Sequence, residues 1–350
     1  MSCDIIIKTG EKFALIALPK VNVVETVTQV SLGGDFFALK NLPFSVADDW
    51  QRWIGEIRAK ELQDAGLFLL TKAKANRPAD LDIENQLSVQ QVSRLFDGLI
   101  LAETPACSAR PFLLTGAHVN GDVSIRQMFN LQCPVRYTFT QSAILRQIDE
   151  QALRLAAALT AAVTAINETD DYRRLKRPLS AFFVGIHQGR FDERLHQFCR
   201  CIDGIILSRR GKGEVDFTAR TRLFIGDDHR DVMKEIYRMR SAVEHLRPAE
   251  SEVTDKTGLR ERRLCVIERA LQAEVIARHV LQRVLLNEQL RACFRTDKQT
   301  EDFWNTAEHD RKQQWGEPLN FQSDLATIVD PQYVTDDDLG LTNFASSNKA

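Results

Sequence analysis

Two contrasts along the 350-residue chain predict an α+β protein, with a β-rich mixed domain followed by an all-α helical bundle. Up to about residue 140 the apolar residues come in short runs of Ile, Val, Thr and Phe broken by Gly and Pro. Beyond that point they recur every three or four positions over long stretches, the period of helices with one buried face. A third observation, the loss of periodicity and gain of acid after Pro318, predicts a disordered tail. The expected division is a mixed α/β domain of unassigned role over 1–140, a helical domain over 141–317 with its core at 170–295, and a tail over 318–350.

In the first domain, Asp4–Lys8, Phe13–Leu18, Val21–Leu32 and Asp35–Lys40 read as consecutive antiparallel strands, with Gly33-Gly34 as a hairpin turn. Trp50–Gln63 reads as a helix and Leu67–Leu70 as a buried strand. Ser88-x-x-Gln91 reads as a capping box opening a helix that runs through Leu101. In the second, a stripe of Ile148, Ala152, Leu155, Leu159, Ala162 and Ile166 predicts a helix over 142–166. Leu195, Phe198, Ile202 and Ile206 predict another. Val232, Ile236, Met239, Val243 and Leu246 predict a third over 231–246, and a long fourth spans 261–290. Helices with one apolar stripe each must bury those stripes against one another, so a bundle follows.

At 44% hydrophobic and 27% charged residues the composition is that of a water-soluble globular chain. The most apolar later run, Leu153–Val163, is well short of the roughly 20 residues that span a bilayer. With no basic apolar leader at the start, a cytoplasmic location is expected. The seven cysteines form no C-x-x-C pair, which argues against both a disulfide framework and a zinc knuckle. Neither a metal nor a cofactor is indicated. The net charge is −2, yet residues 171–250 hold 17 Lys and Arg against 12 Asp and Glu, the one region biased towards a polyanion.

The candidate chemistry sits on the third helix. At 100° per residue its five apolar positions span about 80°, and Tyr237, Arg240, Ser241, Glu244 and His245 fall outside that arc. Pro248 disfavours helical geometry at Arg247, which puts His245 in the last turn, where the helix end favours an imidazolium. Histidine suits proton transfer, and a guanidinium nearby suits a phosphate oxygen. Asp203 and Glu244 are the acids placed to orient them, and Arg238 and Arg247 flank the pair as candidate phosphate contacts. His187, His196, His229, His279 and His309 read as surface or packing residues. Glu268, Glu274 and Arg278 read as ion pairs within the bundle.

The segments FDERLHQFCRCIDGIIL, FTARTRLFIG, VMKEIYRMRSAVEHL and VIERALQAEVIARHVLQRVL resemble successive helices of HEPN proteins, the Apea-like HEPN family in particular. That family's signature, Arg, four to six residues, then His, is matched by Arg240 to His245, and Asp203 resembles its acid on the preceding long helix. Ser241 and Leu246 depart from the polar Asn, Asp or His and the Gly that many members carry there. The resemblance spans about 191–290 and implies a metal-independent endoribonuclease. In that mechanism two domains pair, the RNA 2′-hydroxyl attacks its adjacent phosphate, His245 moves the proton and Arg240 stabilises the phosphorane.

The resemblance thus implies RNA and a second copy of the chain as partners. Tyr237 and Ser241 would support the site, and Arg238 and Arg247 would touch the backbone. Antiphage defence or toxin action is the implied setting, with the N-terminal domain sensing, recruiting or restraining through a regulatory partner. The alternatives are a catalytically silent domain that binds RNA or nucleotides, and a module that only dimerises.

Overall fold

The structure is a computed structural model and describes residues 7–107 and 109–341. It is α+β, with a six-stranded antiparallel sheet in the N-terminal part and helices thereafter. The chain divides into two compact units: one runs up to Arg136 and includes Arg146–Thr164, and the other comprises Tyr137–Leu145 and the chain from Ala165 onward.

In the first unit the strands are β1 (Glu11–Pro19), β2 (Gln29–Ser31), β3 (Phe36–Leu39), β4 (Ala65–Lys74), β5 (Phe112–Val119) and β6 (Asp122–Asn130), in the order β2-β3-β4-β1-β5-β6. Helices α1 (Asp48–Ile54), α2 (Glu56–Gln63) and α3 (Ile83–Ala102) cover it. Alternate residues Phe13, Leu15 and Ala17 of β1 join Phe68, Leu70, Phe112 and Leu114 in one core with Ile54, Ala59 and Leu62. The intervening residues Ala14, Ile16 and Leu18 are buried too, which is why β1 reads as a continuous apolar run rather than an alternating one. Lys12 is 1% exposed and its ammonium lies 2.7 Å from Asp82 and 3.2 Å from Glu84, the acids that open α3.

Several sequence expectations shift here. The Gly33-Gly34 turn joins β2 to β3 as expected, but within Val21–Leu32 only Gln29–Ser31 is a strand. The helix expected over Trp50–Gln63 is broken into α1 and α2 at Gly55, whose φ of +85° an α-helix cannot accommodate. α3 starts earlier than expected: Asp82 and Asn85 form the capping box, and Ser88 lies inside the helix with its hydroxyl donating to the Glu84 carbonyl. The β5–β6 hairpin lies outside the strands expected from sequence, although Asn120-Gly121, both at positive φ, is a strong turn signal. Of the strand expected over Asp4–Lys8, residues 4–6 lie outside the described residues, and Ile7 and Lys8 are not in a strand.

The helix expected over 142–166 is two, α4 (Gln141–Leu145) and α5 (Glu150–Asn167). Most of α5 belongs with the sheet rather than with the helical domain. A Cβ at Gly98 of α3 would lie 2.1 Å from the Thr160 hydroxyl and 2.4 Å from the Ala156 carbonyl, so α3 and α5 pack backbone to backbone, and Thr160 donates to the Arg94 carbonyl at 3.2 Å. The expected boundary near residue 140 is corrected accordingly: a stripe shows that a helix is buried, and only its contacts show against what.

The second unit holds α4, α6 (Arg173–Ile186), α7 (Phe191–Ile206), α8 (Gly213–Arg220), α9 (Arg222–Ile225), α10 (Arg230–Glu244) and α11 (Leu259–Leu286), then α12 (Glu288–Cys293), α13 (Asp297–Asn305), α14 (Glu308–Trp315) and α15 (Phe321–Asp324). α7 lies between α6, α10 and α11. Arg194 of α7 is fully buried; it donates to the carbonyls of Ile186 and Gln188 at the end of α6 and pairs with Glu274 of α11, which also holds Arg278 at 3.0 Å. The bundle ion pairs expected of Glu274 and Arg278 are thus present, and they enclose a buried cation.

The expected disorder after Pro318 is overturned for the described part of the tail. Leu325 is fully buried, and Val334 and Leu339 join Phe139, Ile267 and Leu271 in one cluster. Arg263 donates to the carbonyls of Leu339 and Gly340 at 2.8 and 3.0 Å. Anchors at 325, 334 and 339 share no helical or strand period, so the sequence carries no signal for them. Residues 342–350 of the expected tail lie outside the described residues.

Among the described residues, no helix is long and apolar enough to cross a membrane.

Candidate functional site

α7 and α10 bring the candidate residues together, and each helix is placed by its apolar side. Leu195, Phe198, Ile202 and Ile206 of α7 are all buried, as their spacing predicts. α6 approaches α7 closely because a Cβ at Gly204 would lie 2.4 Å from the ring of Pro178; Arg174 donates to the Gly204 carbonyl at 2.9 Å. These contacts hold the Asp203-Gly204 segment. On α10 the buried residues are Met233, Ile236, Met239 and Ala242. The expected stripe is corrected at its end: Val232 and Val243 are half-buried and Leu246 is 96% exposed, because the helix stops at Glu244 and the chain turns away.

Arg240 projects between the helices. Its guanidinium is 3.7 Å from Asp203 of α7 and 3.1 Å from Glu244 one turn along α10, and it lies 5.7 Å from the centroid of the Tyr237 ring. Its side chain is only 15% exposed, and its Nε is buried without a hydrogen-bond partner among the described residues. Burial raises the Asp203 carboxyl above its ordinary range, opposed by the Arg240 charge and by the Ser208 hydroxyl, which donates to it at 2.9 Å. Tyr237 is pressed against Phe217, ring centroids 5.3 Å apart, and a Cβ at Gly213 would lie 2.2 Å from its hydroxyl. Burial likewise raises the Tyr237 phenol.

The structure therefore gathers Asp203, Tyr237, Arg240 and Glu244 but does not add His245. Five residues on from Arg240, His245 is turned roughly 140° around the helix axis. It is the C-cap of α10, its amide donates to the Ser241 and Ala242 carbonyls, and its ring is exposed without a hydrogen-bond partner among the described residues. Leu246 takes the left-handed conformation at φ +58° that favours glycine. Ser241 is half-buried, and none of the described contacts links its side chain to the cluster. Arg238 lies 3.3 Å from Glu214 and Arg247 3.7 Å from Glu252, both as half-exposed surface pairs.

One residue of the cluster was missed. His196, expected from sequence as a surface or packing residue, stands on the same α7 stripe as Arg200 and Asp203, four and seven positions earlier. Its Nδ1 is buried and unpartnered, and burial together with the positive charges of Arg240 and Arg200 lowers its pKa. The i, i+4, i+7 spacing of His196, Arg200 and Asp203 was the available signal.

A cavity of about 680 Å³ opens beyond the C-terminal end of α10, lined by Val243, Leu246, Arg247, Arg263 and Asp337–Gly340; it includes neither Arg240 nor His245. Among the described residues no three His, Cys, Asp or Glu side chains form a metal-holding group. Comparison with protein-family models, with curated proteins and with solved structures finds no match to this chain.

Proposed function

We propose that the helical unit is a HEPN-type endoribonuclease of the Apea-like kind, cleaving cytoplasmic RNA without a metal or cofactor, in antiphage defence or as a toxin. The observation that supports it is a positioned Arg240, held by Asp203, Glu244 and Tyr237, on a helix that ends in His245, exposed and without a side-chain partner among the described residues. His245 takes the proton of an RNA 2′-hydroxyl as that oxygen attacks the adjacent phosphorus. Arg240 stabilises the charge on the phosphorane, and the P–O5′ bond breaks as the 5′-oxygen takes a proton from an imidazolium of the site, leaving a 2′,3′-cyclic phosphate and a 5′-hydroxyl. Arg238 and Arg247 contact the RNA backbone. Since Arg240 and His245 point away from each other within one protomer, a second copy related by a two-fold axis supplies the complementary pair. The N-terminal unit senses or restrains through a regulatory partner.

A second reading has its own support: the charge of Arg240 is already matched by two carboxylates, as in a silent domain that only binds RNA or dimerises. Incubating the full chain with mixed RNA in EDTA separates the two. Cleavage leaving 2′,3′-cyclic ends, lost in both Arg240→Ala and His245→Ala, supports the nuclease. Binding without cleavage in all forms, or cleavage that survives His245→Ala at full rate, removes it.

A further inference from the structure

The described cysteines are not all buried hydrophobes. Cys199 and Cys201 are fully enclosed and Cys265 nearly so, whereas Cys107 and Cys133 of the first unit are half-exposed. They lie on the two segments that leave the same end of the β5–β6 hairpin. At the hairpin, the Leu131 amide donates to the Pro111 carbonyl at 2.8 Å. Farther out, Arg136 donates to the Thr104 carbonyl at 3.3 Å and lies 3.4 Å from Glu103. These contacts bracket the cysteines, since 107 falls between 104 and 111 and 133 between 131 and 136. Between the brackets the two thiols are close enough to perturb each other's charge, and the Cys133 thiol donates to the Pro134 carbonyl at 3.5 Å.

We propose that Cys107 and Cys133 form a peroxide-oxidisable dithiol site that closes to a reversible disulfide, with Cys133 as the attacking sulfur and Cys107 as the resolving one. The two roles follow from asymmetry. Hydrogen bonding from Cys107 and then the Arg110 charge favour the Cys133 thiolate and, against burial, lower it to about 7, whereas the Cys133 sulfur first and burial second raise Cys107. The Cys133 thiolate attacks one oxygen of hydrogen peroxide: an S–O bond forms, the O–O bond breaks, and the departing hydroxide takes a proton to become water. Cys107 then gives its proton to solvent and attacks the Cys133 sulfur. The S–S bond forms, the S–O bond breaks, and the hydroxide leaves as a second water. The pair loses two electrons and the peroxide gains them. The bond would tie together the two chain segments just beyond the Phe112–Asn130 pair that ends the hairpin, so closure asks little of the sheet.

The test uses the full reduced chain treated with a few equivalents of hydrogen peroxide, quenched with iodoacetamide and mapped as non-reduced peptides. A Cys107–Cys133 cross-linked peptide, a mass lower by about 2 Da, and reversal by dithiothreitol are expected. In Cys107→Ser the sulfenic acid on Cys133 has no resolving thiol, so its capture by dimedone should rise at least about tenfold over the parent. In Cys133→Ser, Cys107 should stay reduced at the same peroxide dose. Appearance of sulfinic acid on Cys133 without the cross-link, equal dimedone capture in parent and Cys107→Ser, or equal oxidation of Cys107 in Cys133→Ser would each overturn the assignment.

Discussion

Arg240 reaches from α10 to Asp203 on α7, Nη2 to Oδ2 at 3.7 Å, and binds the helix carrying the candidate motif to the helix behind it. The pair is mostly shielded, 15% and 22% exposed, so it is worth more than a surface ion pair but bears a desolvation cost, visible in the raised Asp203 carboxyl.

Asp203→Ala should therefore lower stability by about 1 kcal/mol, because Arg240 keeps Glu244 and Ser208 can turn to solvent. Urea unfolding of the variant measures this. A loss above about 3 kcal/mol would mean that Asp203 supports the bundle rather than the site.

His196 should report on Arg240. Its pKa is lowered by burial first and by Arg240 second, with Glu244 and Glu193 acting the other way. Removing the cation in Arg240→Gln should raise the His196 pKa, read from its ring proton shifts by NMR titration. An unchanged midpoint would show that the two side chains are not electrostatically coupled.

Arg194→Met should be among the most damaging single changes in the helical unit, costing about 3 kcal/mol. It strips fixed donors from the carbonyls of Ile186 and Gln188 and leaves Glu274 with Arg278 alone. The double variant Arg194→Met/Glu274→Leu should recover part of that loss. If the double variant is no more stable than the single one, the cost lies in the carbonyls and not in the stranded charge.

His279 should make the helical unit acid-sensitive. Burial, with the nearby Arg283 charge, lowers its pKa to about 4 in the folded state, below the ordinary value of 6.5. The unfolded chain therefore takes up the proton first as pH falls. Stability from the neutral ring is fully present above about 6.5 and is lost progressively between 6.5 and 4. His279→Gln should flatten that slope in urea midpoints taken across the same interval; an unaltered slope would assign acid sensitivity to other groups.

Leu246→Gly should stabilise the chain by about 0.5 kcal/mol, since glycine adopts φ +58° without the strain that a branched side chain pays there, and the 96% exposed leucine surrenders no core contact. Thermal unfolding checks the sign. Destabilisation would mean that the leucine is covered, as it would be by a second copy of the chain.

Much of the architecture was legible from period alone. The stripe on α7, the run of β1 and the Gly33-Gly34 turn are local patterns, written in the spacing of apolar residues and in which residues tolerate positive φ. The α10 stripe also located Arg240 off the core, and Glu244 four residues on is its neighbour by helical geometry. His196 obeys the same rule, four and seven positions before Arg200 and Asp203, but an i, i+4, i+7 polar stripe is equally the pattern of a solvated helix face.

What the tertiary structure decided is which buried face meets which. α5 carries a clear stripe, yet only the gap left by Gly98 on α3 assigns most of that helix to the sheet; the tail anchors Leu325, Val334 and Leu339 have no period at all until they meet α11 and its neighbours. The same holds for the site and for the thiols. Asp203 and Arg240 are 37 positions apart and Cys107 and Cys133 are 26 apart, and spacing along a chain says nothing of contact once helices and strands reverse direction between two residues. Sequence alone determined the kinds of element and the chemistry each could carry, because those depend on neighbours within a turn or a pleat; pairing was settled by packing, because burial rewards any apolar partner and only shape, at Gly98, Gly204 and Gly213, selects among them.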